Sequence, residues 1–256
     1  MKKKFLRYFL LVFIFSMACM QALPAAERGS KEEFEQAAEA YFKRDFTKAI
    51  QLYTDLEKKG LISSDLFYNL ANTYYRQGHI GWAIYYYTKA LRYAPRDRDL
   101  VANARYVLGK RADQIEKPFV SKVYHSLFFW YDILTLKELL ILTAIFYWIF
   151  FAFLALRVMK NKKGISIALW VNLSINLILL PTAAAKFYTE RLQKIGVMVA
   201  ATVAVYSEPN ADSIKLYELH EGALVEVEDQ SEKFVKIRLP DGRVGWVDMT
   251  QLKTIP

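Results

Sequence analysis

Two long apolar stretches without a charged residue constrain the fold of this chain more than any other feature. Leu139–Leu156 contains 18 residues and Ile165–Ala185 contains 21. An α-helix of about 20 apolar residues crosses the hydrocarbon core of a bilayer. We therefore predict a two-helix transmembrane hairpin with helices over residues 139–157 and 165–186, joined by a loop over residues 158–164.

The charges around these stretches predict the orientation of the hairpin. The loop and its edges carry four positive side chains, at Arg157, Lys160, Lys162 and Lys163, and short basic loops remain in the cytoplasm. The segments before and after the hairpin are then expected on the same side of the cytoplasmic (inner) membrane, in the periplasm. Basic residues at membrane edges also account for part of the net charge of +9, which argues against a nucleic-acid-binding face.

Residues 1–26 have the order of a secretory signal peptide. A basic start at Lys2–Arg7 precedes an apolar stretch, and small residues follow. Cleavage is expected near Ala25 or Ala26, which would leave a two-pass protein. An uncleaved signal anchor is the alternative, and it would export the following segment equally well.

An internal repeat covers residues 30–97. Six residues recur 34 positions later: Ala37, Tyr41, Ala49, Ile50, Tyr53 and Thr54 correspond to Ala71, Tyr75, Ala83, Ile84, Tyr87 and Thr88. A 34-residue period with small residues at fixed places resembles the tetratricopeptide repeat (TPR), a pair of antiparallel helices. Because two such units bury too little surface to stand alone, we predict an all-α TPR domain over 30–117, with repeats 30–63 and 64–97 and a capping helix over 98–117.

The second repeat matches the TPR pattern more closely than the first. It carries the expected residues at Phe67, Leu70, Ala71, Tyr74, Ala83, Tyr87, Ala90 and Pro95. Gly78 is expected in the turn between its helices. The first repeat departs from the pattern at Ala40 and Leu56, where a large and a small residue are expected, respectively.

Two further features concern the membrane region. Residues 118–138 are rich in aromatic side chains, which indicates a juxtamembrane helix that lies either on the membrane surface or against the TPR cap. Asn172 and Asn176 share one face of the second apolar helix. Since amides in hydrocarbon form hydrogen bonds with neighbouring helices, this face is expected to meet the first span or another subunit.

The last segment, residues 196–256, has β character. Short runs with alternating or β-branched residues follow one another, and Asp241-Gly242 lies between two of them as a tight hairpin turn. Glu221-Gly222, Phe234–Ile237 and Asp241–Val247 together resemble a bacterial SH3 domain. We predict a small all-β SH3-like barrel, so that the whole chain is a multidomain membrane protein.

No constellation for catalysis or cofactor binding is recognisable in the sequence. The histidines His79, His125 and His220 are far apart in different segments, and no HExxH, GxSxG or phosphate-binding glycine loop occurs. Cys19, the sole cysteine, is either a small residue of the signal peptide or an acylated lipoprotein cysteine, although Ser16 fits the latter poorly. We expect a protein that is not an enzyme and has no cofactor and no metal.

Binding surfaces are predicted in both soluble domains. The inner face of the TPR helices is expected to form a peptide-binding groove with Tyr68, Asn69, Asn72, Tyr75, Arg76, Asn103, Tyr106 and Lys110. In TPR domains that this one resembles, such residues hold the backbone or carboxylate end of a peptide, but asparagines at these places are also common without a ligand. On the SH3-like domain, a peptide or cell-wall strand is expected against Tyr206, Phe234 and Trp246, unless Trp246 is a core residue.

The order of signal peptide, TPR, two membrane helices and SH3-like domain resembles the BatE component of the bacterial aerotolerance (Bat) operon. The segments Ala71–Tyr75, Ala94–Asp97 and Ala102-Asn103 carry the local resemblance. It implies an envelope complex with von Willebrand factor A membrane proteins and a MoxR-type ATPase, in oxidative or envelope stress tolerance.

Two functions follow as hypotheses. The first is a protein-protein interaction scaffold whose TPR groove binds exported or membrane-bound partners. The second is a peptidoglycan-binding anchor that acts through the SH3-like domain. A transporter or signalling subunit is disfavoured because the apolar helices carry no charged residue.

Overall fold

The computed structural model describes residues 29–114, 128–160 and 162–255. The predicted signal peptide, Cys19 and residues 115–127 of the predicted cap and juxtamembrane segment lie outside the described residues.

Five helices fill residues 29–108: α1 Gly29–Phe42, α2 Phe46–Lys58, α3 Ser64–Gln77, α4 Ile80–Tyr93 and α5 Arg98–Leu108. The side chains of Asp45, Ser63 and Asp97 accept hydrogen bonds from the backbone N–H three residues later, which fixes where α2, α3 and α5 begin. Gly78 ends α3 with a φ of +88°, a conformation that glycine adopts without strain. The capping helix ends at Leu108, before the predicted boundary at 117, and residues 109–114 turn towards the C-terminal domain.

Alanines of both repeats lie at the helix crossings, as the repeat pattern indicates. Ala37, Ala49, Ala71 and Ala83 have no exposed surface, and larger side chains fill the space between the helix pairs, among them Tyr53, Leu56, Phe67, Leu70 and Tyr87. Buried apolar area of this kind supplies most of the stability of a helical repeat.

Two helices in the described part of the chain are long and apolar enough to cross a membrane. A short helix, α6 (Phe129–Ile133), precedes α7 (Leu136–Met159) and α8 (Lys163–Phe187). α7 begins three residues before the predicted span because Thr135 and Glu138 form a capping box. Asn176 donates a hydrogen bond to the backbone carbonyl of Phe146 at 3.2 Å, so its face meets α7, one of the two partners predicted for it.

A π-helical turn at Tyr188–Leu192 connects α8 to the C-terminal domain. From residue 194 to residue 255, seven antiparallel strands form one sheet: β1 Lys194–Met198, β2 Thr202–Tyr206, β3 Lys215–His220, β4 Leu224–Gln230, β5 Phe234–Arg238, β6 Val244–Asp248 and β7 Leu252–Ile255. Their order is β3-β2-β6-β5-β4-β1-β7. The hairpin at Asp241-Gly242 lies between β5 and β6, with Gly242 at a φ of +91°. β1 begins two residues before the predicted domain boundary.

The helical repeat and the SH3-like domain pack directly against each other. Helix α4 contacts β1 and β7, and Val197 and Ile255 are buried in the hydrophobic core of the helical domain. Beyond α5, the carboxylate of Asp113 accepts a hydrogen bond from the backbone N–H of His220 at 2.5 Å. Its other oxygen lies 3.1 Å from Nδ1 of the His220 ring. The two domains therefore share a core.

Polar contacts join the helical repeat to the apolar hairpin. Arg96 forms an ion pair with Glu138 at the start of α7, and Arg92 donates to the backbone carbonyl of Glu190 at 3.0 Å. These two contacts join the TPR domain to one end of the hairpin. Within the hairpin region, Lys186 at the end of α8 is 6% exposed and donates to the carbonyl of Tyr131 in α6 at 2.5 Å.

Candidate functional site

The predicted groove residues lie on α3, on α5 and directly after α5. We call this set the groove: Tyr68, Asn69, Asn72, Tyr75, Arg76, Asn103, Tyr106 and Lys110. Between α3 and α5, the rings of Tyr75 and Tyr106 meet edge to face with centroids 6.0 Å apart. The Nζ of Lys110 lies 5.0 Å from the centre of the Tyr106 ring. Tyr106 is 55% exposed, so the cluster faces solvent.

Two of the three groove asparagines have partners within the domain. Asn72 accepts a hydrogen bond from the hydroxyl of Tyr87 at 2.5 Å, and Asn103 donates to the hydroxyl of Tyr68 at 2.7 Å. These bonds tie α3 to α4 and α5 to α3, so both amides support the helix packing. The backbone carbonyl of Asn69 accepts a hydrogen bond from the hydroxyl of Thr73 at 2.6 Å, but within the part of the chain that the structure describes its side-chain amide has no such partner and is available to a ligand.

The charges of the groove are positive and interact with tyrosine hydroxyls. The neighbouring hydroxyl of Tyr106 raises the pKa of Tyr75. The hydroxyl of Tyr75, together with the ammonium group of Lys110, lowers the pKa of Tyr106. The hydroxyl of Tyr41 raises the pKa of Arg76.

No carboxylate of the described residues is among the groups that shift these pKa values, and none forms an ion pair with Arg76 or Lys110. Both cations are exposed. The groove therefore presents positive charge next to aromatic rings, a combination that attracts carboxylates and apolar side chains of an extended peptide.

Tyr41 is a groove residue that the sequence prediction omitted. It lies on α1, and its hydroxyl is the main cause that raises the pKa of Arg76. Its position corresponds to Tyr75 through the 34-residue repeat, so the repeat pattern itself contains the information needed to find it. The omission arose because the groove was inferred from the second and third helical units alone.

The three aromatic residues predicted on the SH3-like domain lie next to one another. Tyr206 and Trp246 face each other in the β2–β6 pairing, and the rings of Tyr206 and Phe234 meet edge to face with centroids 6.2 Å apart. Gly245 and Val247 are buried while Trp246 is half-buried. Trp246 therefore lies on the outer face of the sheet. The alternative interpretation, in which Trp246 is a core residue, does not fit this position.

Lys236 belongs to this aromatic surface and was not predicted. It pairs with Trp246 across β5 and β6, and its Nζ lies 3.8 Å from a carboxylate oxygen of Glu228. The surface occupies strands β2, β6 and β5, whereas α4 contacts β1 and β7 at the other end of the strand order. The contact with the TPR domain therefore leaves the aromatic surface open.

Two family models match separate parts of the chain. The tetratricopeptide repeat model matches residues 64–97, which comprise α3, α4 and the turn that follows. The bacterial SH3 domain model matches residues 201–252, from β2 to the start of β7. No curated protein shows significant similarity to the chain. The matches establish a TPR repeat and a bacterial SH3 domain, and β1, the strand that contacts α4, lies outside both.

The described residues contain no group of three or more histidine, cysteine, aspartate or glutamate side chains placed to hold a metal ion. The groove and the aromatic surface are the two candidate sites.

Proposed function

We propose that this protein is a membrane-anchored scaffold without enzymatic activity, and that its TPR groove binds an extended acidic segment of a partner protein. The observation that carries the proposal is the cluster of Arg76, Tyr75, Tyr106 and Lys110, in which two exposed cations have tyrosine partners and no carboxylate. A peptide carboxylate would supply the missing negative charge, and the tyrosine rings would contact the neighbouring side chain.

The proposed location is the cytoplasmic membrane, with α7 and α8 as a transmembrane hairpin and both soluble domains on the extracytoplasmic side. The direct contact between Asp113 and His220 supports this arrangement, because the two residues come from segments on either side of the hairpin. Domains on opposite faces of a bilayer cannot touch. The basic loop between the helices supports the cytoplasmic position of the turn.

The biological setting that we propose is an envelope complex of the Bat type, linked to oxidative or envelope stress tolerance. The order of domains supports it through its resemblance to BatE proteins. Partners would be von Willebrand factor A membrane proteins, with a MoxR-type ATPase on the cytoplasmic side. The acidic segment would then belong to an extracytoplasmic part of such a partner.

Affinity purification of the full chain in mild detergent, after crosslinking in cells, tests the scaffold function. Lys110→Glu should remove partners that the wild type recovers, because it reverses a charge of the groove without touching the helix packing. Lys233→Glu, an exposed reversal on the SH3-like domain, is the matched control and should retain them. Recovery of the same partners by both variants would show that the groove does not bind them.

A second candidate function is binding of peptidoglycan by the SH3-like domain. The position of the half-buried Trp246 beside Tyr206 on the outer face of the sheet favours it, since aromatic rings on such a face stack against sugar rings and peptide stems. The domain shares a core with the TPR domain, so the full chain and not an isolated fragment is the proper probe. Purified sacculi should retain the wild type and release Trp246→Ala. Equal retention of the two would remove this function.

Reporters fused after Lys117 and after Pro256 test the topology. Both are expected to be accessible from the extracytoplasmic side. Opposite accessibility of the two reporters would exclude the proposed hairpin.

A further inference from the structure

A cleft separates the TPR domain from the first turns of α7. It consists of two adjoining cavities of about 630 Å³ and about 500 Å³, and Tyr93, Thr135 and Lys137 line both of them. Volumes of this size are typical of small-molecule sites. The cleft is distinct from the groove and from the aromatic surface, since it shares no residue with either.

One wall of the cleft is apolar and exposed. Ile62 in the loop after α2 is 59% exposed, Tyr93 at the end of α4 is 46% exposed, and Leu140 on α7 is 47% exposed. If α7 enters a bilayer, these side chains lie where the hydrocarbon begins. A tyrosine at that level is typical of the membrane interface.

The carboxylates of the cleft are engaged by neighbours. Glu57 accepts hydrogen bonds from the hydroxyl of Tyr86, at 2.9 Å, and from Lys89. Glu190 lies 3.4 Å from the Nζ of Lys186. Each acid of the larger cavity therefore has a cation or hydroxyl partner.

The acids of the smaller cavity are engaged as well. Glu138 pairs with Arg96, and Asp97 accepts the backbone N–H of Leu100 at the start of α5. Three of these four acids have a cation partner and the fourth, Asp97, caps α5, so none of them pairs with a further positive charge of the cleft.

Lys137 supplies that further charge. It is exposed, lines both cavities, and forms no ion pair with a carboxylate of the described residues. Arg92 also lines the larger cavity and directs one nitrogen to the backbone carbonyl of Glu190. An ammonium group beside an apolar wall at the membrane surface matches a lipid phosphate and its acyl chain.

We propose that this cleft binds an anionic phospholipid, with the phosphate at Lys137 and an acyl chain along Leu140 and Ile62. The proposal rests on the membrane insertion of α7 and goes beyond the scaffold function. A bound lipid would fill the gap between the TPR domain and the hairpin, and would thereby hold the groove at a fixed height above the membrane.

Native mass spectrometry of the full chain in mild detergent tests the site. The protein is supplied with equal amounts of phosphatidylglycerol and phosphatidylcholine, and the lipids retained per chain are counted. The wild type should retain phosphatidylglycerol about fivefold more than phosphatidylcholine, the preference that one cation near a lipid surface provides. Lys137→Gln should abolish the preference and Lys137→Arg should keep it. Lys160→Gln, at the other end of α7, is the matched control and should also keep it.

Three results would overturn the proposal. An equal preference in the wild type and Lys137→Gln would show that the lipid binds elsewhere. Equal retention of both lipids by the wild type would show unselective lipid around the hairpin. Competition by millimolar glycerol phosphate as strong as that by the lipid would show a site for soluble phosphate. Because the readout is lipid and not partner protein, its failure would leave the groove assignment untouched.

Discussion

The carboxylate of Glu221 accepts a hydrogen bond from the backbone N–H of Gly81, 140 residues earlier in the chain, at 2.8 Å. Gly81 is the second residue of α4, and His79, the residue before this helix, makes no side-chain cap. The first N–H groups of a helix have no partner within it. A glutamate of the SH3-like domain therefore caps a helix of the TPR domain.

Replacement of Glu221 by alanine should destabilise both domains together. The variant loses the cap of α4 and a negative charge near the positive end of the helix dipole, a loss of about 1–2 kcal/mol. Glu221→Gln keeps an acceptor oxygen and should lose less. The midpoint of urea unfolding of the full chain in mild detergent measures both. Glu232→Ala, at an exposed acid of the same domain, is the control, and an equal shift in this control would contradict the capping role.

Gly81→Ala tests how closely the domains approach. A Cβ at Gly81 would lie 2.3 Å from the carbonyl oxygen of Met198. Alanine inside a helix is ordinarily favoured over glycine by about 1 kcal/mol, so helix propensity predicts stabilisation whereas the contact predicts a loss of about 1–3 kcal/mol. We expect a lower thermal midpoint for the full chain.

Gly164→Ala is the matched control for that substitution, because no atom lies within 4 Å of the added Cβ. It should leave the midpoint unchanged or raise it slightly. A rise with Gly81→Ala as well would mean that the two domains do not touch in solution.

Asn176→Leu should loosen the apolar hairpin. Asn176 donates to the carbonyl of Phe146 on α7 and to the side chain of Asn172. Interhelical hydrogen bonds of this kind contribute about 0.6–1.7 kcal/mol. Detergent-solubilised Asn176→Leu should unfold at a lower denaturant concentration, whereas Ser174→Ala should not, since the Ser174 hydroxyl bonds only to its own helix, at the carbonyl of Trp170. Equal stability of Asn176→Leu and the wild type would assign the hairpin contact to apolar packing alone.

The TPR domain should lose stability at alkaline pH. Burial raises the pKa of Tyr53 and of Tyr85 to about 12 and also raises the pKa of Tyr86 and Tyr87. In the unfolded chain these phenols ionise near pH 10. Between about pH 10 and about pH 12 the unfolded chain loses these phenolic protons while the folded chain keeps them. The contribution of the buried tyrosines to the free energy of unfolding is therefore complete below about pH 10 and falls as the pH rises towards about 12.

Urea unfolding of the full chain at several pH values, followed by tyrosinate absorbance, measures this fall. Tyr85→Phe removes one of the ionising groups and should make the decline less steep. An unchanged slope in this variant would show that Tyr85 ionises equally in both states.

The repeat pattern predicts which residues share the face of the proposed groove, because residues 34 positions apart occupy equivalent places on successive helices. Tyr75 and Tyr106 were predicted on one face and the structure brings their rings together. The pattern does not distinguish an amide that binds a ligand from one that supports the helix packing. Asn72 and Asn103 have the expected positions, but their side chains form hydrogen bonds with Tyr87 and Tyr68. These hydrogen bonds depend on side-chain rotamers and on the distances between helices, and neither can be predicted from a sequence repeat.

The local elements of this protein can be predicted from the order of its amino acids: the 34-residue repeat, the two apolar helices and the short strands around Asp241-Gly242. Each depends on interactions between residues near in the chain, such as helix caps, alternation and turn geometry. The core that the TPR and SH3-like domains share becomes visible only in the folded chain, because Gly81 and Glu221 are far apart in sequence and carry no shared pattern. Their contact exists because the antiparallel helices α7 and α8 bring the chain back to the end of the hairpin at which it entered. There, Gly81 has no side chain to block the carboxylate of Glu221, which reaches the N-terminus of α4.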